Sequence, residues 1–142
     1  MTDLLLALVR MRPLIERLEH DMAAPSGVTA AGWQVASALG TEAATVPQIA
    51  DRLGRRRQTV QTAVDDLVHT GHAEKRDNPA HARSPLIALT PIGIDAFWNI
   101  VDRQIEFVNE VGHTFSPRNL QTAVTAITTL EELLKASPAQ SS

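Results

Sequence analysis

Three consecutive arginines, Arg55, Arg56 and Arg57, stand directly before Gln58, Thr59, Gln61 and Thr62. Guanidinium groups pair with phosphate oxygens through planar, bidentate hydrogen bonds. Amides and hydroxyls of this kind bond the edges of bases. A further arginine, Arg83, lies between His81 and Ser84 in a proline-bordered stretch. Together these residues form a pattern for gripping an anionic backbone and reading its edges. The residue types needed for other chemistry are scarce. There is no cysteine, which excludes disulfides, thiolate catalysis, thiol redox sensing and cysteine zinc sites. No Ser-His-Asp arrangement and no glycine-rich phosphate loop occurs, so no enzyme activity and no cofactor are expected. Of the five histidines, His69 and His72 alone lie close in sequence, straddling Gly71, and no metal site is expected there.

Charge is distributed unevenly. From Val46 to Thr90 the basic residues are Arg52, Arg55, Arg56, Arg57, Lys75, Arg76 and Arg83, and the acids are Asp51, Asp65, Asp66, Glu74 and Asp77. That middle stretch carries a surplus of two positive charges, inside a chain of net charge −3. An acidic total argues against nucleic acid as a partner only if charge is averaged over surfaces with different tasks. The split instead implies a mildly basic reader between acidic flanks, with modest non-specific binding to polyanions. The 142 residues suit one domain. No apolar run is long enough to span a membrane. The apolar opening Leu4 to Val9 is followed, not preceded, by Arg10 and Arg12, so it does not read as a signal peptide. A reducing cytoplasm is the expected compartment.

The elements that must hold these residues follow from caps and periodicity. Leu4, Leu8, Met11, Ile15, Leu18 and Met22 recur at the 4-3-4-3-4 spacing of a helix that packs on other helices. Pro13 lacks the amide that would bond Val9, so a kink there, or a helix start near it, is expected. Pro25 and Gly27 mark a turn. Thr29 caps a helix carrying Trp33, Val35, Ala36 and Leu39 that stops at Gly40. Thr45-Val46-Pro47-Gln48 is a capping box opening a short helix with Ile49, Ala50 and Leu53. Gly54, Arg55 and Arg56 form a turn, and a longer helix follows from about Arg57 to Thr70. His72 to Leu89 reads as a hairpin with a long tip. Thr90-Pro91 opens a long helix to about Gly112, bearing Ile94, Phe97, Val101, Ile105 and Val108. Ser116-Pro117 opens the last, with Leu120, Ala123, Ile127, Leu130 and Leu134. Ser137 to Ser142 is expected to fray.

Two short helices around a tight turn, then a hairpin, predict a mainly α fold with a small β-hairpin wing, a winged helix-turn-helix. Such a helix fits the major groove, and the hairpin tip reaches the backbone or the minor groove. At about 100° per residue, Val60, Val64, Leu67 and Val68 share one side of the second helix. Gln58, Thr62 and Arg55 fall opposite, with Thr59 and Gln61 flanking, and Arg57 nearer the core side as a phosphate anchor. Asp65 and Asp66 would repel phosphates, so entry by the first two turns is expected. Trp33 reads as a core or cleft wall, with a ligand-facing aromatic as its functional alternative.

The runs Thr45 to Gly54, Arg57-Gln58-Thr59-Val60 and Leu67-Val68-His69-Thr70-Gly71 resemble the winged helix-turn-helix of MarR-type transcriptional regulators. The junction Leu89-Thr90-Pro91-Ile92-Gly93 and the segment Val28 to Trp33 are similar to that family's as well. The resemblance covers nearly the whole chain. It implies one MarR-like domain over 1–142, with dimerisation helices at about 3–25 and 113–136. The winged helix-turn-helix would span about 29–90, and a connecting helix 91–112. It implies a homodimer straddling a pseudo-palindromic site on double-stranded DNA, and repression relieved by a small-molecule effector. On this resemblance Arg55, Arg56, Arg57, Gln58, Thr59, Gln61, Thr62, His81, Arg83 and Ser84 are the DNA-contacting candidates.

Two departures stand out. Arg55 and Arg56 replace the small hydroxyl or apolar residues usual before the recognition helix, so an N-cap is lost and phosphate-binding charge gained. His81-Ala82-Arg83 stands where the family carries Asp-x-Arg, keeping the arginine without its carboxylate. Asn78-Pro79 and Ser84-Pro85 are available to stiffen the tip instead. The rival reading is a dimeric ligand-binding or protein-interaction module of the same fold that has lost DNA binding.

Overall fold

Threonine and serine hydroxyls set most of the helix starts. In the computed structural model, which describes residues 1–136, Thr29 Oγ1 accepts a hydrogen bond from the Gly32 amide at 3.0 Å. This opens α2, Ala30–Leu39, after α1, Thr2–Ala23, and a 3₁₀ turn at Ala24–Ser26. The Thr45 amide donates to Gln48 Oε1 at 2.9 Å and the Gln48 amide donates back to Thr45 Oγ1 at 3.4 Å. The reciprocal pair is the expected capping box at the head of α3, Val46–Leu53. α4 covers Arg57–His69, β1 Ala73–Arg76, β2 Leu86–Leu89, α5 Pro91–Gly112 and α6 Pro117–Ala136. The frayed tail expected at 137–142 lies outside the described residues.

α1 runs without a break through Pro13, so a helix start at Pro13 is overturned. Proline there removes one backbone bond, and its fixed φ is already helical. The helix therefore continues on the bonds either side. β1 pairs antiparallel with β2 in the register Ala73 to Leu89, Lys75 to Ile87. One further bridge, unforeseen from the sequence, covers the other edge of β2: the Ala44 and Ile87 amides and carbonyls exchange bonds of 3.0 and 2.8 Å.

The backbone divides into two compact units, Met1–Gln104 and another beginning at Ile105. In the first, α2, α3, α4 and the hairpin close over one core. Val35, Leu39, Ile49, Val60, Val64, Leu67, Ile87 and Ile100 are buried there. The stripe on α4 is the one expected from its periodicity. On α5 the buried face is Gly93, Ala96 and Ile100, while Ile94 is exposed. Small residues face inward because the backbone at His72 lies against Gly93, leaving no room for a Cβ. In the second unit no described residue of α6 is buried, and Ile105, Val108, Leu120, Val124, Ile127 and Leu134 are all exposed.

Candidate nucleic-acid interface

The α3–α4 turn requires a left-handed residue. Gly54 supplies it at φ +59°, and the Arg55 amide then closes on the Ala50 carbonyl at 3.0 Å. The turn delivers Arg56 as the residue before α4, with extended backbone (φ −67°, ψ 140°). No side chain among the described residues caps this helix. Its first amides therefore point outward beside three exposed arginines, as the departure at Arg55-Arg56 predicts. Unsatisfied amides and the positive end of a helix favour anions.

Between the first turns of α4 and the wing runs a groove of about 360 Å³. It is lined by Arg57, Gln58 and Gln61 from α4, Lys75 from β1, and Arg83 and Ser84 from the wing. Five of the candidate residues thus meet on one surface. Arg55 and Thr59 face elsewhere, lining a cleft with Glu16 and Glu19 of α1. Arg56, Thr62 and His81 are exposed and line neither recess. Thr62 Oγ1 donates to the Gln58 carbonyl at 3.1 Å.

Lys75 is the residue that sequence reasoning missed. β1 alternates, so Lys75 lies on the strand face of buried Ala73, opposite Ile87. That face meets α4. Lys75 Nζ donates to Asp65 Oδ1 at 3.0 Å, and Gln61 Nε2 donates to the same oxygen at 3.0 Å. Hydrogen bonds from Lys75 and then Gln61 hold the Asp65 carboxyl below the usual carboxylate range, against a small opposing effect of desolvation. Asp65 thus holds one cation and one amide of the groove.

The wing tip is built from two successive turns. The His81 amide donates to the Asn78 carbonyl at 3.1 Å and the Ser84 amide to the His81 carbonyl at 3.0 Å. Trp33 is half-buried, its ring 5.2 Å from that of Phe97 and tilted by 35°. Phe97 meets the exposed Trp98 edge-on, also at 5.2 Å. Trp33 thus packs against the core and on Phe97, which with Leu89, Ile94 and Trp98 lines an apolar recess of about 270 Å³. His72 is buried, with its ring nitrogens engaged by Thr70 Oγ1 at 2.7 Å and the Ser26 carbonyl at 3.1 Å. Neither nitrogen is left as a metal donor.

A helix-turn-helix with a two-stranded wing, carrying cations on both sides of one groove, defines the class. A family model described as the MarR family matches residues 26–84. The chain belongs to the MarR family, whose members are transcription regulators and not enzymes. It is 40% identical over 123 residues to the uncharacterized protein Rv2011c of Mycobacterium tuberculosis, across 87% of this chain and 86% of that one. Among solved structures it is similar to the MarR family transcription regulator SP03579, with TM-score 0.81, 27% identity and 96% of each chain covered. It shares its fold with a mutant MarR from E. coli solved with operator DNA, at TM-score 0.76 and 20% identity, over 87% of this chain and 91% of that one.

Proposed function

We propose that this protein is a homodimeric, sequence-specific DNA-binding repressor of the cytoplasm whose grip is released by a small-molecule effector. The observation that carries the reading is the groove in which Arg57, Gln58, Gln61, Lys75, Arg83 and Ser84 meet. Arg57 contacts phosphates, the α4 amides and Arg56 grip the same backbone, Lys75 is held in reserve by Asp65, and Gln58 and Gln61 face base edges. Thr62 extends the contact along α4, Arg55 and Thr59 being turned toward α1, and Arg83, with His81 and Ser84 beside it, serves the minor groove. The E. coli relative's complex with operator DNA supports this use of the fold.

The homodimer is supported by apolar surface that one protomer leaves uncovered: Leu5, Val9, Met11, Leu14 and Ile15 on α1, and Leu120, Val124, Ile127 and Leu134 on α6. Exposed patches of this kind mark interfaces. A dimer would set two α4 helices on a pseudo-palindromic duplex about 34 Å apart, one turn of DNA. The effector is a small apolar or aromatic molecule seated against Trp33, Phe97 and Trp98, where ring faces and an apolar recess coincide.

The test begins with selection of duplexes from a random pool by the purified protein, followed by anisotropy titration of the enriched sequence. Arg57→Ala and Arg83→Ala are expected to weaken binding by about tenfold each. Equal affinity of wild type for enriched and scrambled duplexes would refute sequence-specific recognition. Titration of small aromatic compounds, read by tryptophan emission and by release of bound duplex, tests the effector.

A further inference from the structure

The loop from Asp77 to Pro85 must present Arg83 to one side of the groove, yet it contains no regular secondary structure. A flexible loop would lose affinity to the entropy of ordering an arginine and its backbone on binding. One side chain spans the loop. Asn78 Nδ2 donates to the Ser84 carbonyl at 2.8 Å, while Asn78 Oδ1 accepts from the Ala80 amide at 3.1 Å. The Asn78 carbonyl accepts from the His81 amide in the same turn. A single residue thus satisfies groups at both ends of the tip, and the residue it clamps, Ser84, is bonded covalently to Arg83. Pro79 fixes φ at the second position of the first turn, and Pro85 follows the clamp. Asn78 is partly buried, whereas His81 and Arg83 are exposed.

We propose that Asn78 is the positioning residue of the wing: it clips the two ends of the tip together and so holds Arg83 at the groove before DNA arrives. This rests on the DNA-binding reading above, and its test separates the two. The chemistry is specific to the amide. Aspartate keeps the acceptor for Ala80 but has no donor for the Ser84 carbonyl, so Asn78→Asp is expected to behave like Asn78→Ala.

The first arm needs no DNA. Trypsin cleavage after Arg83 is followed in the full-length protein, with thermal melts confirming that each variant folds. Asn78→Ala and Asn78→Asp are expected to be cut several-fold faster than wild type at this bond, with other sites unchanged. Equal cleavage rates would overturn the clip. The second arm is a double-mutant cycle on the duplex enriched by wild type. Arg83→Ala is expected to weaken binding by about tenfold and Asn78→Ala by about three- to tenfold. The double variant should bind no worse than Arg83→Ala. A full Asn78→Ala penalty in the Arg83→Ala background would overturn the positioning role, since Asn78 would then act without the arginine. If wild type enriches no duplex, the DNA-binding reading falls, and the purpose assigned to the clip falls with it, while the cleavage arm still reports the clip itself.

Discussion

Asp65→Asn removes the carboxylate that holds Lys75 Nζ at 3.0 Å while keeping an oxygen that can accept from Gln61. Both members of the pair are about half exposed, 45% for Lys75 and 52% for Asp65. Exchanging this partner for a phosphate is thus close to neutral for the fold. The effect belongs in DNA binding. Each phosphate neutralised on B-DNA steepens the dependence of log affinity on log salt by about 0.9. One released Lys75 per protomer, two per dimer, steepens the slope by about 1.8. Between 50 and 200 mM salt, a fourfold range, that slope amounts to a ratio of roughly twelve. Asp65→Asn is therefore expected to gain affinity over wild type, with an advantage about twelvefold larger at the low end of that range. The assay is anisotropy titration at four or five salt concentrations on enriched and scrambled duplexes. The gain should appear on both, because phosphate contacts carry no sequence information. Lys75→Met should abolish it. An unchanged slope with weaker binding to the enriched duplex alone would refute the reasoning, and would show that Asp65 matters by orienting Gln61.

The same carboxylate has a pH signature. Its folded-state value is depressed by Lys75 and Gln61, so its contribution is present above the ordinary carboxylate value, about pH 4. It is lost as pH falls through the lower, folded value. The difference in Tm between wild type and Asp65→Asn should thus be constant near neutrality and shrink below about pH 4, as followed by circular dichroism. Gly93→Ala would drive a methyl group into the His72 carbonyl oxygen; overpacking of this kind costs about 1–3 kcal/mol or more. A fall in Tm of about 5–10 °C is expected, and a change under about 2 °C would show that α5 slides freely. Thr45→Ala removes the hydroxyl that accepts from the Gln48 amide, while the residue 45 amide keeps its bond to Gln48 Oε1, and should cost about 1 kcal/mol in chemical denaturation. Sedimentation should give wild type a mass of twice 15.4 kDa, and Ile127→Glu, on the exposed face of α6, should shift it to monomer; a wild-type monomer at micromolar concentration would refute the dimer.

Much of this protein was legible because its signals are local. A threonine hydroxyl and an amide three residues on define a helix start whatever the rest of the chain does. Thr29, Thr45 and Thr90 all perform this role, with Gly93 donating to Thr90 Oγ1 at 3.2 Å. The apolar face of α4 follows from a period of 3.6, and the uncapped start of α4 from Arg56 having no hydroxyl or carboxyl to offer. The order of helices, turn and hairpin is similarly a property of the chain itself, and with it the MarR resemblance.

What needed the tertiary structure were relations between residues far apart in sequence. Periodicity places Thr59 and Gln61 alike at the flanks of α4, yet the wing packs on one side only. Gln61 therefore joins the groove with Arg57 and Gln58, and Thr59 faces α1 with Arg55. Lys75 entered the site through strand register, which carries no local mark on lysine. The inward face of α5 was decided by the close approach of the His72 backbone to Gly93, not by the larger apolar residues that its periodicity offered. Local hydrogen bonds thus determined where each element begins and which residues it presents. Packing between elements decided which of those residues share a surface, because that depends on contacts the chain makes only once it has folded.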